Sequence, residues 1–492
     1  MADNFSLTVT DGALGAGPAG PGRALVLIGV CSAAVASNVV HAFESPADVL
    51  ATLGYGPLSE AAAYALSVGA LGQTARPVGC VKVGTVTNGT NSAVTKVGTG
   101  TGTVTLAGAP FDRFEGRIRI TRAGTLGAGA FRYSLDGGRS ESVEYAIPSG
   151  GTFVIPGTNI TATFVPGAGP SFFALEDTHS WTSTAPTYDT TALNTALDVI
   201  AADARAWPLV FVVGAPGGVD DTAKSAAAAA LVAAVNTKLE AYAAQGQYMR
   251  GFCEGPDVAN DATGSGLVTA ALVTTTARRV GISGGYCRIP SQINPRQARV
   301  STASPYVARL ASLPFSQDPG DGGLGGLDGI IGGSLEVATA ARSVYDAGRV
   351  FTLQTINGLT GYQVSNSAML APTGSDYAEV PNARVIDEAS RAGRAKLITY
   401  RRSRLRVGRT GTPNAGKIDE RDAQRVERAV RSAIERAVLD SGDAIEVIVT
   451  VNRTDNLLST KKLRAKLRVV PFAYANAIEA EIGLDNPALS QV

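Results

Sequence analysis

Two histidines, four cysteines and a few paired carboxylates are the residues of this chain whose types could support catalysis or metal binding. His41 and His179 lie far apart in the sequence, and no serine is read as a nucleophile elbow. Both histidines therefore read as structural. Cys31, Cys80, Cys253 and Cys287 form no Cys-x-x-Cys pair and sit in apolar surroundings, which reads as reduced core thiols made in a reducing compartment. Asp220 and Asp221 follow an apolar run and offer a two-carboxylate edge for a metal. An alanine-rich helix begins directly after them, so helix capping is the simpler reading. The glycine-rich stretch Gly320–Gly333 lacks the Lys-Ser/Thr that closes a phosphate loop and reads as a flexible connection. With no His-Glu-x-x-His and no calcium-loop spacing, the expectation is a protein that is not an enzyme and needs no cofactor or metal.

The charges point instead to a surface. The whole chain is almost neutral, at +1, so no global field marks nucleic acid or an anionic membrane as its partner. Locally the balance fails: Arg391, Arg394, Lys396, Arg401, Arg402, Arg404, Arg406 and Arg409 follow one another with no acidic residue between them. Next, Lys417–Leu439 places Val426, Val430, Ile434 and Val438 on one side of a helix and Arg421, Arg425, Arg428 and Arg436 elsewhere. Then Leu463, Ala465, Leu467 and Val469 alternate with Lys462, Arg464, Lys466 and Arg468, giving a strand with one cationic face. A terminal run, Ile478 to Leu484 with Ile482 between, alternates with Glu479 and Glu481 and reads as a strand with an acidic face. Like charges gathered this way repel, and a counter-charged partner relieves them.

The elements behind these residues read as several units. At 492 residues and about 150 per domain, roughly three cores are expected. Residues 1–23 form an arm with a short alternating strand, Phe5, Leu7 and Val9, and a Gly/Ala/Pro linker; no secretory signal is read there. Ala24–Val40 is apolar but interrupted and falls short of the roughly 20 residues of a membrane span. Residues 24–83 and 188–380 read as an α/β core with a mixed sheet. Its strands are expected at Ala24–Gly29, Pro77–Val83, Leu209–Val213, Met249–Glu254, Val280–Cys287 and Val350–Leu353. Its helices are expected at Ser45–Leu53, Ser59–Leu71, Thr191–Arg205, Asp221–Ala243 and Leu335–Ala347. Residues 84–187 read as an inserted β-sandwich with a hairpin turn at Asp136-Gly137, and residues 381–476 as an α+β C-terminal domain with a buried strand Ile445–Val451. A terminal strand or arm, 477–492, completes the chain.

This order resembles the contractile tail sheath family of phages, R-type bacteriocins and related injection systems. The resemblance is carried by Ala24-Leu25-Val26-Leu27-Ile28-Gly29, Glu44-Ser45-Pro46-Ala47-Asp48, Gly54-Tyr55-Gly56-Pro57-Leu58 and Arg76-Pro77-Val78-Gly79-Cys80-Val81-Lys82-Val83. Towards the end it is carried by Tyr400 to Val407, the arginine-faced helix and Leu467-Arg468-Val469-Val470-Pro471. The resemblance implies a subunit that polymerises with copies of itself in hexameric rings and a helix around an inner tail tube. It implies baseplate and terminator partners, no nucleic acid, no direct membrane insertion, assembly in a bacterial cytoplasm and a place in a phage or phage-like tail. It also implies terminal arms that add strands to neighbouring copies, here through Phe5, Leu7, Val9, Leu463, Leu467, Ile478, Ile482 and Leu484. On this reading Arg421, Arg425, Arg428 and Arg436 face the tube. The alternatives are another tail component, tube or baseplate, and a hydrolase with a β accessory domain.

Overall fold

The computed structural model describes residues 23–474, apart from 71, 86, 170–171, 259–260 and 373. The expected strand Phe5–Val9 and the terminal strand Ile478–Leu484 lie outside the described residues.

The fully apolar run Leu25–Gly29 is buried on both faces, which makes it a central strand. It pairs in parallel with Val78–Lys82 on one side and Leu209–Val212 on the other. The sheet continues in parallel through Arg250–Cys253 to Val280–Ile282, and Val40–Phe43 closes the opposite edge antiparallel. The sheet is therefore mixed. Alternation sends Leu25 and Leu27 to one core, with helices Pro46–Leu53, Pro57–Ser67 and Ala303–Ser312. Val26 and Ile28 go to the other, with helices Thr190–Ala202, Asp221–Gln245 and Thr339–Ala347. Local signals set the helix starts: Ser45 caps Pro46–Leu53 through the Asp48 amide, and Asp189 and Asp220 cap theirs. Gly79 must lack a side chain, because a Cβ there would stand 2.8 Å from the Trp207 ring.

Between the strand Val78–Lys82 and the helix Thr190–Ala202, two antiparallel sheets enclose their own aromatic-rich core. One holds Thr103–Ala107, Ile160–Val165 and Thr152–Ile155; the other holds Thr95–Val97, Thr178–Thr182, Glu115–Arg122, Ala130–Ser134 and Tyr145–Ala146. The chain enters and leaves this unit side by side, with Thr87 bridged to Thr187.

Several elements depart from the sequence reading. Asp136-Gly137 does not close a tight hairpin: Ala130–Ser134 pairs with Tyr145–Ala146 across a longer loop. Asp136 is buried and its carboxylate organises that loop, accepting from the Arg139 and Ser140 amides and the Ser140 hydroxyl. Val280–Cys287 is two strands, Val280–Ile282 and Tyr286–Pro290, broken where Gly284 packs under the Tyr345 ring and Gly285 takes a φ of +82°. The helix expected from Leu335 begins at Thr339, and Val350–Leu353 shrinks to the short ladder Leu353–Gln354. Ile445–Val451 is only half buried as Glu446–Val451, because it pairs with a single strand, Ala465–Val470, and shows one face to solvent.

The glycine-rich stretch is not a free linker either. The buried Arg309 guanidinium donates to the carbonyls of Pro319, Leu324, Gly325 and Gly326, so one side chain moulds the loop around itself. Arg309→Met is expected to leave those carbonyls without a donor, at a cost of about 2–4 kcal/mol. Limited proteolysis should then cut within residues 320–333, where the unaltered chain resists.

Candidate functional site, a basic C-terminal surface

Residues 381–474 hold twenty-one Lys and Arg against eleven Asp and Glu, although the whole chain is almost neutral. Three elements build the surface: helix Val380–Ile398, helix Glu420–Ile434 and the hairpin of Glu446–Val451 with Ala465–Val470. Val426, Val430, Ile434 and Val438 are all fully buried in their shared core. Strict spacing by four drifts about 40° per step on an α-helix. The last turn, Glu435–Leu439, is wound as a π-helix, and the wider turn returns Val438 to the apolar side. The expected helix Lys417–Leu439 thus starts later, at Glu420 behind the Asp419 cap, and ends in this π turn.

The cationic residues then fall into two stripes. Arg453 donates to both Glu420 and Glu427, at 2.6 to 2.9 Å, and Arg431 pairs with Glu435 at 2.7 Å, so one stripe is neutralised within the chain. The Arg453 hydrogen bond holds the Glu420 carboxyl down at about 2. The second stripe carries Arg421, Arg425, Arg428 and Arg436, all exposed. Arg428 and Arg436 only fold back onto the carbonyls of Gln424 and Ser432. Among the described residues no carboxylate lies within ion-pair distance of Arg421, Arg428 or Arg436. Arg425 and Arg406 share one carboxylate, the buried Asp422, at 3.4 and 3.7 Å, and keep most of their N–H donors pointing to solvent. Arg401, Arg402, Arg404 and Arg409 are exposed beside them.

The long basic run is not uniformly available. Arg391 is occupied by Glu388 and the Tyr248 carbonyl, and Arg394 by the Gln245 carbonyl. An open groove of about 640 Å³, lined by Tyr248, Leu397, Ile398, Arg394, Arg401 and Leu467, runs between helix Val380–Ile398 and the outer hairpin strand. Leu463 and Leu467 pack partly against the shared core. Strand Ala465–Val470 pairs only with Glu446–Val451 among the described residues, and its other edge is unpaired.

Buried guanidinium groups, which the sequence reading missed, fix this surface to the α/β core. Arg250 and Arg279 converge on Asp387 at 2.6 and 3.2 Å, with Arg250 also bonded to the Arg278 and Ala383 carbonyls. Arg384 donates to the Leu313 and Pro314 carbonyls and lies over the Phe315 ring. An arginine inside an otherwise apolar strand, at Arg250, was the available signal.

The catalytic candidates stay apart: Ser283, which does stand in a Gly-x-Ser-x-Gly pattern at Gly281–Gly285, is buried and bonded to the Ser301 hydroxyl and the Gly255 amide rather than to a histidine. His179 is buried with neither ring nitrogen hydrogen-bonded, and burial, aided by Lys96, holds its imidazole down at about 4. His41 lies on the edge strand Val40–Phe43. The four cysteines are free; burial pushes Cys253 and Cys287 up to about 12, so neither is a thiolate at neutral pH. Asp220 accepts the Ala223 amide as a helix cap, and Asp221 pairs with Lys224. Among the described residues no group of three or more His, Cys, Asp or Glu is placed to hold a metal, and no helix is long and apolar enough to cross a membrane.

Known structures share this architecture along the whole chain. The helical sheath of the anti-feeding prophage in its contracted state aligns over 99% of this chain and 100% of that one, with 11% identity and a TM-score of 0.52. A chain of the contracted anti-feeding prophage baseplate aligns over 99% and 98%, again with 11% identity and a TM-score of 0.52. A sheath tail protein from Listeria innocua aligns over 93% of this chain and 96% of that one at 11% identity, with a TM-score of 0.45. The fold is that of the anti-feeding prophage helical sheath chain. The DUF2586 N-terminal domain matches residues 4–368, and the chain belongs to that family. Comparison with curated protein sequences found no match.

Two outcomes test the electrostatics. Asp387→Asn leaves Arg250 buried without a counter-charge and Arg279 with only Glu240, at 3.4 Å, and is expected to destabilise the chain by about 3–5 kcal/mol in denaturant unfolding. A depressed carboxyl contributes stability above its unfolded pKa that is lost as pH falls towards the folded value. Arg453→Gln should therefore return the Glu420 carboxyl from about 2 towards the ordinary range near 4.3, followed by NMR titration.

Proposed function

We propose that this chain is the structural subunit of a contractile tail sheath, polymerising around an inner tube and shortening to drive that tube through a target envelope. The observation that carries the reading is the end-to-end match of its fold to a contracted helical sheath. In this reading residues 24–83 and 188–380 form the sheath core, 84–187 an outer domain, and 381–476 the inner domain. Residues 1–23 and 477–492 are arms.

Physical features of the chain support each part of the role. In the exposed stripe, Arg421, Arg428 and Arg436 have no carboxylate in reach among the described residues and Arg425 shares Asp422 with Arg406, which suits an acidic tube surface and a contact that salt and distance can release. The unpaired edge of Ala465–Val470 leaves backbone groups for an added strand, with Leu463 and Leu467 as its apolar anchors. Phe5, Leu7 and Val9 of one copy, or Ile478, Ile482 and Leu484 of another, supply alternating strands for that edge. Strand addition through a flexible linker lets rigid bodies repack without disconnecting. Baseplate and terminator proteins are the further partners, and assembly takes place in the bacterial cytoplasm before the tail particle leaves.

Negative-stain microscopy of the concentrated chain is expected to show wide hollow cylinders or stacked rings, which a variant lacking residues 1–23 does not form. Stable monomers from both chains at every concentration would overturn the sheath reading. Replacing Arg421, Arg425 and Arg428 with Gln should leave cylinders intact but abolish co-sedimentation with a co-expressed tube protein. Unchanged co-sedimentation would remove the stripe from the tube interface.

A further inference from the structure

An asparagine followed by glycine can lose its side-chain amide without any enzyme, because the glycine nitrogen has no Cβ beside it to crowd its approach to the asparagine Cγ. The pair occurs twice in this chain, at Asn88-Gly89 and Asn357-Gly358. The fold treats the two differently. Asn88 lies where the chain enters the inserted sheets and is held on both sides. Thr87 is bridged to Thr187, and Thr90 bonds Thr184 through backbone and side chain at 2.9 to 3.1 Å. Gly89 is buried between the Pro110 and Thr184 carbonyls, which would stand 2.4 and 2.5 Å from a Cβ there. This backbone has no room to turn.

Asn357 sits at the tip of the loop between the short strands Leu353–Gln354 and Gln363–Val364. Every residue from 355 to 360 is exposed, Gly358 takes a φ of +90°, and nothing lies within 4 Å of where its Cβ would be. One turn bond closes the tip, the Leu359 amide donating to the Ile356 carbonyl at 3.1 Å. The Asn357 side chain and the Gly358 nitrogen can therefore meet without displacing any packed group. The surrounding sequence is also free of charge, with no Asp, Glu, Lys, Arg or His between Arg349 and Asp376.

We propose that Asn357 is a site of spontaneous deamidation in the folded chain, and that Asn88 is protected from it by its packing. The Gly358 nitrogen gives up its proton to solvent base and bonds to the Asn357 Cγ, and the Cγ–Nδ2 bond breaks to release ammonia. Water then opens the resulting five-membered imide at one of its two carbonyls. Opening at Cγ leaves aspartate. Opening at the main-chain carbonyl leaves isoaspartate, whose backbone runs through Cβ and Cγ and carries the old carbonyl as a free carboxylate. Either product puts one negative charge into a stretch that has none, between the exposed Ile356 and Leu359. Isoaspartate also adds an atom to the backbone of the turn, so the loop that leans Leu359 on Gly322 and Gly361 on Gly326 has to shift. The site stands independently of the assembly role.

Folded full-length chain held for days at mildly alkaline pH and then mapped by peptide mass spectrometry reads both sites at once, with isoaspartate counted separately by enzymatic methylation. Conversion at Asn357 is expected to run at least about tenfold faster than at Asn88, where attack has to wait for local opening. It should slow as the pH is lowered and hydroxide becomes scarce. In chain unfolded in guanidinium chloride, where the packing is gone, the two sites should convert at similar rates. Asn357→Gln, whose longer side chain would need a six-membered ring, should remove the signal from this loop. An unconverted Asn357 in the folded chain, equal rates at both sites there, or an Asn88 that stays slow when unfolded would each overturn the assignment.

Discussion

Where one part of this chain meets another, a buried arginine holds the joint. Arg250 and Arg279 on Asp387 fasten the C-terminal helix to the sheet, Arg296 on Asp112 and Glu60 fastens the insert, and Arg309 gathers four loop carbonyls. The planar guanidinium suits these places because it satisfies several acceptors in fixed directions. Buried ion pairs bring modest net stability against their desolvation, but they penalise misplacement heavily.

The same accounting separates structural charge from working charge. Arg391, Arg394, Arg431 and Arg453 have acceptors within the chain, whereas Arg421, Arg428 and Arg436 have no carboxylate in reach among the described residues, and Arg406 and Arg425 share one. A partner surface is recognised by donors left over after internal pairing. Counting arginines along the sequence overstates that number, since part of a basic run can be absorbed by its own fold.

Burial acts oppositely on groups that lack such partners. His179 is kept neutral in the insert core, the cysteines are kept as thiols, and Glu254 is pushed into the neutral range. The first two remove reactivity. The third is a buried carboxyl with no cation in ion-pair reach among the described residues.

Much of the architecture was legible in local pattern. The alternation and apolar runs of Leu25–Gly29 and Leu209–Val212, the caps at Ser45 and Asp220, and the four-residue spacing from Val426 to Val438 each depend on neighbours close in sequence. So does the identity of the exposed stripe, because helical spacing alone groups Arg421, Arg425, Arg428 and Arg436. Long-range partners decided the rest. Whether Gly320–Gly333 was a linker depended on Arg309, whether Asp136 closed a hairpin depended on the amides it gathers, and whether Glu254 titrates near neutrality depended on what packs over it. Composition and periodicity report the preferences of a segment. Pairing, desolvation and the filling of a crevice belong to groups brought together from distant positions, and only the folded chain assembles them.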